Sequence, residues 1–217
     1  MDAKSEIIKC LAEMTGQYAE WQIFCDWVKV SAISVQNACC MIHDRTWAER
    51  ERQFVEVMQR YPQEHQEMFA KMYMLLEIEL HEKIYDVLGT VYMESGCSNK
   101  STGQFFSPFN ISMAAARTMS LKSNEKIMKI YEPSAGAGGM IIAVAKILNE
   151  KSVNFQKKMK VLAQDLDWTS VYMCYLQLSL LGIDATVVQG DSLEDYKLRD
   201  IPKDRILYTP KRMGALL

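Results

Sequence analysis

The chain holds 217 residues, 49% of them hydrophobic, and its 25 basic and 27 acidic side chains leave a net charge of −2. That is enough apolar material for the core of one medium domain, or of a small domain with an accessory piece. It excludes a free-standing nucleic-acid binder with a global positive field, so any DNA contact must come from a local basic patch or through a partner.

The start, Met1-Asp2-Ala3-Lys4-Ser5-Glu6, lacks a basic segment leading into an apolar one, and no apolar run is long enough to span a bilayer. This reads as a cytoplasmic protein with no membrane contact. From Ile7 the apolar positions Leu11, Met14, Tyr18, Trp21, Cys25, Val28, Ala32 and Val35 recur at steps of three and four, which predicts a helix with one buried stripe, interrupted at Thr15-Gly16. A second helix runs from Thr46 to Arg60 and stops before Pro62, because the residue preceding proline is pushed out of the helical region. A third carries Phe69, Tyr73, Leu76, Leu80, Ile84, Val87 and Val91 on one side. Residues 1–95 therefore read as an all-α bundle, a structural cap or docking module, with Trp21, Trp27 and Trp47 read as core aromatics. The six cysteines include no CxxC pair and read as free thiols. Cys39-Cys40-Met41-Ile42-His43 has no second ligand pair nearby, so no metal is expected.

Residues 96–109 read as a linker, beginning in the polar, small-residue run 95–103 and ending in Gly103-Gln104-Phe105-Phe106-Ser107-Pro108. The pattern then changes. Over 110–217, strand-like runs at 127–131, 159–163, 185–188 and 205–208 alternate with helical ones, and a helix starts near Asn110. Such alternation predicts parallel strands joined by right-handed crossovers, an open α/β sheet of Rossmann type with its ligand at the carboxyl ends of the strands.

The first of those strands breaks into Glu132-Pro133-Ser134-Ala135-Gly136-Ala137-Gly138-Gly139 and opens a helix. A turn of this kind leaves backbone N–H groups uncovered beside a positive helix end, where a polar ligand can rest. The dinucleotide fingerprint G-x-G-x-x-G fails on spacing, since Ile141 stands where its last glycine belongs. Asp165, at the end of the second strand, is positioned to accept from ribose hydroxyls, and Asp191, after the third, to accept from the amino group of an adenine ring. Phe105 and Phe106 read equally well as a hydrophobic plug or as a cover over a ligand.

Taken in order, Gly103-Gln104-Phe105-Phe106-Ser107-Pro108, the glycine-rich segment, Gln164-Asp165-Leu166-Asp167 and Gly190-Asp191-Ser192-Leu193 resemble the motifs of adenine-specific DNA methyltransferases, most closely the modification subunits of type I restriction systems. Tyr85-Asp86-Val87-Leu88-Gly89-Thr90-Val91-Tyr92 is similar to the helix leading into the family's first motif, so the resemblance covers about 84–210. It implies an S-adenosylmethionine-binding sheet. Phe105, Phe106 and Ser107 would lie near the methionine part. Glu132, Pro133, Ser134, Ala135, Gly136 and Gly138 would meet the amino acid and sugar, Asp165 the ribose, and Asp191 with Ser192 the adenine. A helical N-terminal domain would help to hold DNA or partner subunits.

The family's catalytic motif, Asn or Asp followed by Pro-Pro and an aromatic residue, falls at the end of the fourth strand, where it holds the target amine and stacks on an extruded base. Here that place is taken by Tyr208-Thr209-Pro210-Lys211-Arg212, leaving the catalytic role to Thr209 and Pro210. The chain ends at Leu217, before the family's remaining strands and DNA-recognition regions, so the last strand is expected to be an edge covered by a protein partner or a homodimer. Two functions follow from the sequence: methyl transfer to adenine in DNA, alone or with a partner, or a catalytically inactive cofactor-binding module acting as sensor, inhibitor or subunit. The helical half is a third candidate, as a DNA holder through its lysines and arginines.

Overall fold

The computed structural model describes residues 2–97, 105–119, 126–195 and 197–215. Gly103 and Gln104 of the first motif, and most of the expected linker, lie outside the described residues.

The N-terminal region forms α1 (Ala3–Glu13), α2 (Glu20–Ala38), α3 (Arg45–Met58), α4 (Gln63–Glu82) and α5 (Val87–Glu94). Their starts follow local chemistry: Asp2, Asp44 and Asp86 each cap a helix by accepting from the backbone amides of Ser5, Trp47 and Gly89. The long periodic stretch after Pro62 is two helices. It breaks at residues 83–86 because the Asp86 side chain takes over the amide of Gly89, at 2.8 Å, and starts a new turn. Phe24, Trp27 and Tyr92 pack edge to face at the centre of this region, and the Trp27 indole donates to the carbonyl of Phe69 at 3.2 Å. Trp27 is core, whereas Trp21 is substantially exposed.

After α6 (Phe109–Thr118) come β1 (Met128–Glu132), α7 (Gly139–Glu150), the short α8 (Phe155–Lys158), β2 (Met159–Asp165), α9 (Trp168–Leu180), β3 (Asp184–Gln189), β4 (Ile206–Tyr208) and α10 (Pro210–Met213). The sheet order is β1-β2-β3-β4, with β1, β2 and β3 parallel and in the register Met128–Met159 and Val161–Ala185. α9 packs on β2 and β3 and, on its other side, against α2 and α4, so that one continuous core runs from Ile7 in α1 to Leu207 in β4. On the opposite face Ile201 seals a small cluster with Val188 and Ile206. The structure is thus an α/β fold with a mostly parallel open sheet preceded by helices.

The fourth strand departs from expectation. It pairs antiparallel with β3, Val188 facing Ile206 and Thr186 facing Tyr208. A parallel return needs a crossover, usually helical, but among the described residues the link from β3 to β4 holds only two single-turn 3-10 helices, so the chain folds straight back. Ile206 and Leu207 are buried, and Gln36 of α2 accepts from the amide of Tyr208 at 2.8 Å. The edge that the sequence reading leaves for a partner or a homodimer is therefore met in part by this chain itself. Among the described residues no helix is long and apolar enough to cross a membrane, and no group of three or more potential ligands could hold a metal ion.

Candidate functional site

The glycine-rich turn leaves β1 at Glu132 and enters α7 through Gly138. Gly136 at φ +52° and Gly138 at φ +93° occupy the left-handed region, which side chains with a Cβ rarely adopt. Space is tight as well: a Cβ on Gly136 would come 3.1 Å from the Phe106 ring, and one on Gly138 3.2 Å from the Cys174 sulfur. No side chain caps the first turn of α7, so its opening amides keep the partial positive charge of a helix start.

The turn is tied to its neighbours. The amide of Ala135 donates to the carbonyl of Gln164 at 2.9 Å, and that of Gly136 to Asp165 Oδ2 at 2.8 Å. The other oxygen of Asp165 accepts from the amide of Asp167 at 3.0 Å. Asp165 is paired in register with Gln189, and its carbonyl accepts from the amide of Gly190 at 2.9 Å, which brings Asp191 to the neighbouring strand tip. Asp191 Oδ1 accepts from Leu193, closing a short turn that includes Ser192. Leu166 and Leu193, 67% and 87% exposed, stand beside the two acids, so the strand tips form an open shelf with apolar flanks.

Glu132 is half-buried, and its side chain accepts from the amide of Ser134 at 3.3 Å. Burial pushes its pKa above the ordinary carboxylate value, with a smaller push from the Asp165 carboxylate, against the lowering effect of the Ser134 hydrogen bond. Pro133 and Ser134 are exposed at the top of the turn and Ala135 is buried beneath it.

Phe106 and Phe105 part company. Phe106 is buried, edge-on to Tyr92 at 5.1 Å and touching Gly136, whereas Phe105 is 70% exposed and Ser107 is exposed beside it. Phe106 is therefore the hydrophobic plug, and Phe105 faces solvent.

Thr209 and Pro210 do not join this group. Because β4 runs backwards, its carboxyl end lies at the start of the parallel strands. The buried Thr209 hydroxyl donates to the carbonyl of Ile183 at 2.7 Å and accepts from the amide of Ala185 at 3.0 Å. Pro210, also buried, opens α10. The expected catalytic pair is corrected to a fastening for the first residues of β3, at the sheet end away from Asp165 and Asp191.

Sequence reasoning missed a buried polar latch behind the turn. The Gln177 amide, fully buried in α9, donates to Asp86 Oδ1 and to the carbonyl of Ala137, both at 2.8 Å, and its oxygen accepts from the amide of Leu88 at 3.1 Å. Burial drives the pKa of the Asp86 carboxyl above its usual value, against the lowering effect of Gln177 and Gly89. An acid three residues ahead of Gly89 inside an otherwise apolar run was the one local signal of a cap at this point.

Parallel β1–β3, a glycine turn at the first strand tip and acids at the next two make this the fold of S-adenosylmethionine-dependent methyltransferases. The same fold occurs in a protein from Listeria monocytogenes described as a class I methyltransferase of that kind, at 11% identity and a TM-score of 0.51, matching 88% of this chain and 54% of that one. The N-6 DNA Methylase family model matches residues 78–211, more than half of the sequence. The chain belongs to the N-6 DNA methylase family. A type I restriction-modification methyltransferase subunit from Streptococcus thermophilus is also similar, at 11% identity and a TM-score of 0.44, covering 92% of this chain and 40% of that one. The chain thus spans about half the length of the solved structures it matches. No curated protein matches it.

Proposed function

We propose that the chain binds S-adenosylmethionine on the open tips of β1–β3 and serves, with a partner polypeptide, in methyl transfer to the exocyclic amine of adenine in DNA. One observation carries this reading: the uncapped start of α7 lies over two glycines at positive φ, beside the half-buried Glu132, which has no cation within ion-pair distance among the described residues. Uncapped amides suit a ligand carboxylate, and an uncompensated acid suits a ligand ammonium. The cofactor, when bound, supplies a methyl group activated by a positive sulfonium. Asp165, which already orders the turn through Gly136, has lone pairs left for ribose hydroxyls, and Asp191 keeps Oδ2 for an amino group. Leu166 and Leu193 offer apolar surface to a ring between them, and Phe105 with Ser107 is free to close over the methionine end.

Isothermal titration calorimetry with S-adenosylmethionine tests the assignment: heat of binding is expected for the wild type, and none at millimolar ligand would end it. Asp191→Ala should weaken binding by about 1–3 kcal/mol, the scale of a hydrogen bond to a charged group. Affinity should also fall as pH is lowered from neutrality, starting above the range in which an ordinary glutamate titrates. Glu132 is held protonated to a higher pH than an ordinary glutamate, and the protonated form offers no charge to a cationic ligand. Glu132→Gln should bind more weakly and lose that part of the pH dependence. A wild-type affinity that stays flat as pH is lowered would argue against an acid facing the cofactor.

The alternative, a cofactor-binding module without transfer chemistry, is favoured by the position of Thr209, buried and hydrogen-bonded at the far end of the sheet. Methyl incorporation into mixed-sequence DNA, measured with and without candidate partners, separates the two. Cofactor binding with no incorporation in any combination selects the module.

A further inference from the structure

Beside the cofactor shelf lies a cleft of about 850 Å³ between α2 and α3 on one side and α9 with the 203–207 segment on the other. Its charges do not cancel. Lys29 of α2, Arg45 of α3 and Lys203 line it and make no ion pair among the described residues, and Arg50 reaches only the Asn37 side-chain oxygen and the sulfur of Cys40. Of the acids in the lining, Asp26 is taken by Arg60 at 2.9 Å and Glu49 by Arg52, both arginines lying outside the cleft, which leaves Asp204 as its unpaired acid. The cations come from three separate elements and are spread through the lining of the cleft. That spacing suits an extended polyanion better than a single phosphate, which needs donors aimed at one centre. Trp168, stacked on Tyr172 with ring centroids 5.1 Å apart, gives the cleft a rigid aromatic wall.

The cleft is joined to the cofactor shelf through Gln189. That residue lines the cleft while its amide donates to the carbonyl of Leu166 at 2.8 Å, one position past Asp165. Burial lowers the pKa of Lys29, a cost that a neighbouring anion relieves.

We infer that this cleft between the helical region and the β3 side of the sheet holds the phosphodiester backbone of DNA, so that one molecule carries the nucleic acid alongside the cofactor shelf. The inference rests on the DNA methylase reading for the identity of the polyanion, and on the unpaired cations for the site. Lysines and arginines on a DNA backbone release condensed counterions, so each contact steepens the fall of affinity with salt.

The test is fluorescence anisotropy of a labelled mixed-sequence DNA duplex titrated with the full chain at several salt concentrations, alongside calorimetry with S-adenosylmethionine. Arg45 and Lys203 are exposed, so Arg45→Ala/Lys203→Ala should fold normally, which melting temperature checks. The double variant is expected to bind DNA about tenfold more weakly, with a logarithmic salt slope smaller by about two, and to keep its affinity for S-adenosylmethionine. A control pair of equal charge, Arg117→Ala/Lys151→Ala, lies on α6 and just past α7, away from the cleft, and should change little. Equal DNA affinity in the wild type and the cleft variant, an equal loss in the control pair, or no DNA binding by the wild type each overturns the inference. None of these touches the cofactor assignment, which the calorimetry decides separately.

Discussion

Phe106→Ala is expected to lower the free energy of unfolding by about 3–5 kcal/mol, the usual cost of emptying a phenylalanine site in a core that cannot fully collapse. The ring is 9% exposed and fills the space between Tyr92 of α5 and the glycine turn, approaching the Cα side of Gly136 so closely that a Cβ there would be crowded. Its loss removes a contact between the helical region and the turn, and the backbone around Gly136 loses the surface it rests on. Phe105 is the contrasting case. With 70% of its surface in solvent, Phe105→Ala should change stability by no more than about 0.5 kcal/mol. If Phe105 closes over the ligand, the same change should lower affinity for S-adenosylmethionine. Urea denaturation and calorimetry on both variants give a crossed pattern: stability lost mainly in one, affinity mainly in the other. Equal stabilities for Phe106→Ala and wild type would mean that the ring is not a plug.

The same pair shows what a sequence reveals and what it withholds. Two adjacent aromatics before a proline announce a buried contact near the cofactor turn, but which of the two points inward depends on a rotation about the chain that no local pattern sets. β1, β2 and β3 were legible because Met159, Val161 and Ala163 alternate with Lys160 and Leu162 and a helical period follows each of the first two strands. The acids at the strand tips were legible for the same reason, since a strand end fixes where the next residue stands. β4 was legible as a strand but not in its direction. Three residues pair equally well either way, and the choice falls to a link whose described residues lack a crossover helix. Thr209 was misassigned through that one reversal. The helix break at Asp86 was hidden because Leu76, Leu80, Ile84, Val87 and Val91 keep the apolar period across it. The break is decided by a capping side chain with a distant partner, Gln177, 91 positions on. The basic cleft was beyond reach for a similar reason: Lys29, Arg45 and Lys203 are far apart in sequence, and a net charge of −2 gives no sign that three of the 25 cations gather unpaired.

Gln177→Leu is expected to cost about 4 kcal/mol at neutral pH, since each buried polar group stripped of its partner costs about 1–3 kcal/mol and three are affected. The Asp86 carboxylate loses a donor, the carbonyl of Ala137 loses another, and the amide of Leu88 loses its acceptor. Leucine fills most of the volume, so the loss is chiefly of polar satisfaction. Its pH dependence separates this mechanism from simple misfit. Burial raises the pKa of Asp86 in the folded state, and Gln177 holds it down by donating to the ionised form. A carboxyl with a raised folded value contributes stability that is complete below its unfolded value, about 3.9, and is lost as pH rises through the folded value. Removing Gln177 raises that folded value further, so the deficit of Gln177→Leu should be smaller in acid, where the losses at Ala137 and Leu88 remain, and grow towards neutrality as the Asp86 share is added. Asp86→Asn keeps an oxygen where Gly89 and Gln177 donate and removes the buried charge. It should therefore flatten the pH dependence, and in combination with Gln177→Leu the double variant should lose about 1–2 kcal/mol less than the sum of the single losses. Because Gln177 also holds the carbonyl of Ala137, its removal frees the glycine turn, and affinity for S-adenosylmethionine should fall along with stability. Urea denaturation of the four proteins at acid and neutral pH provides the cycle. A deficit for Gln177→Leu that is the same at both pH values would show that Gln177 does not stabilise the ionised form of Asp86.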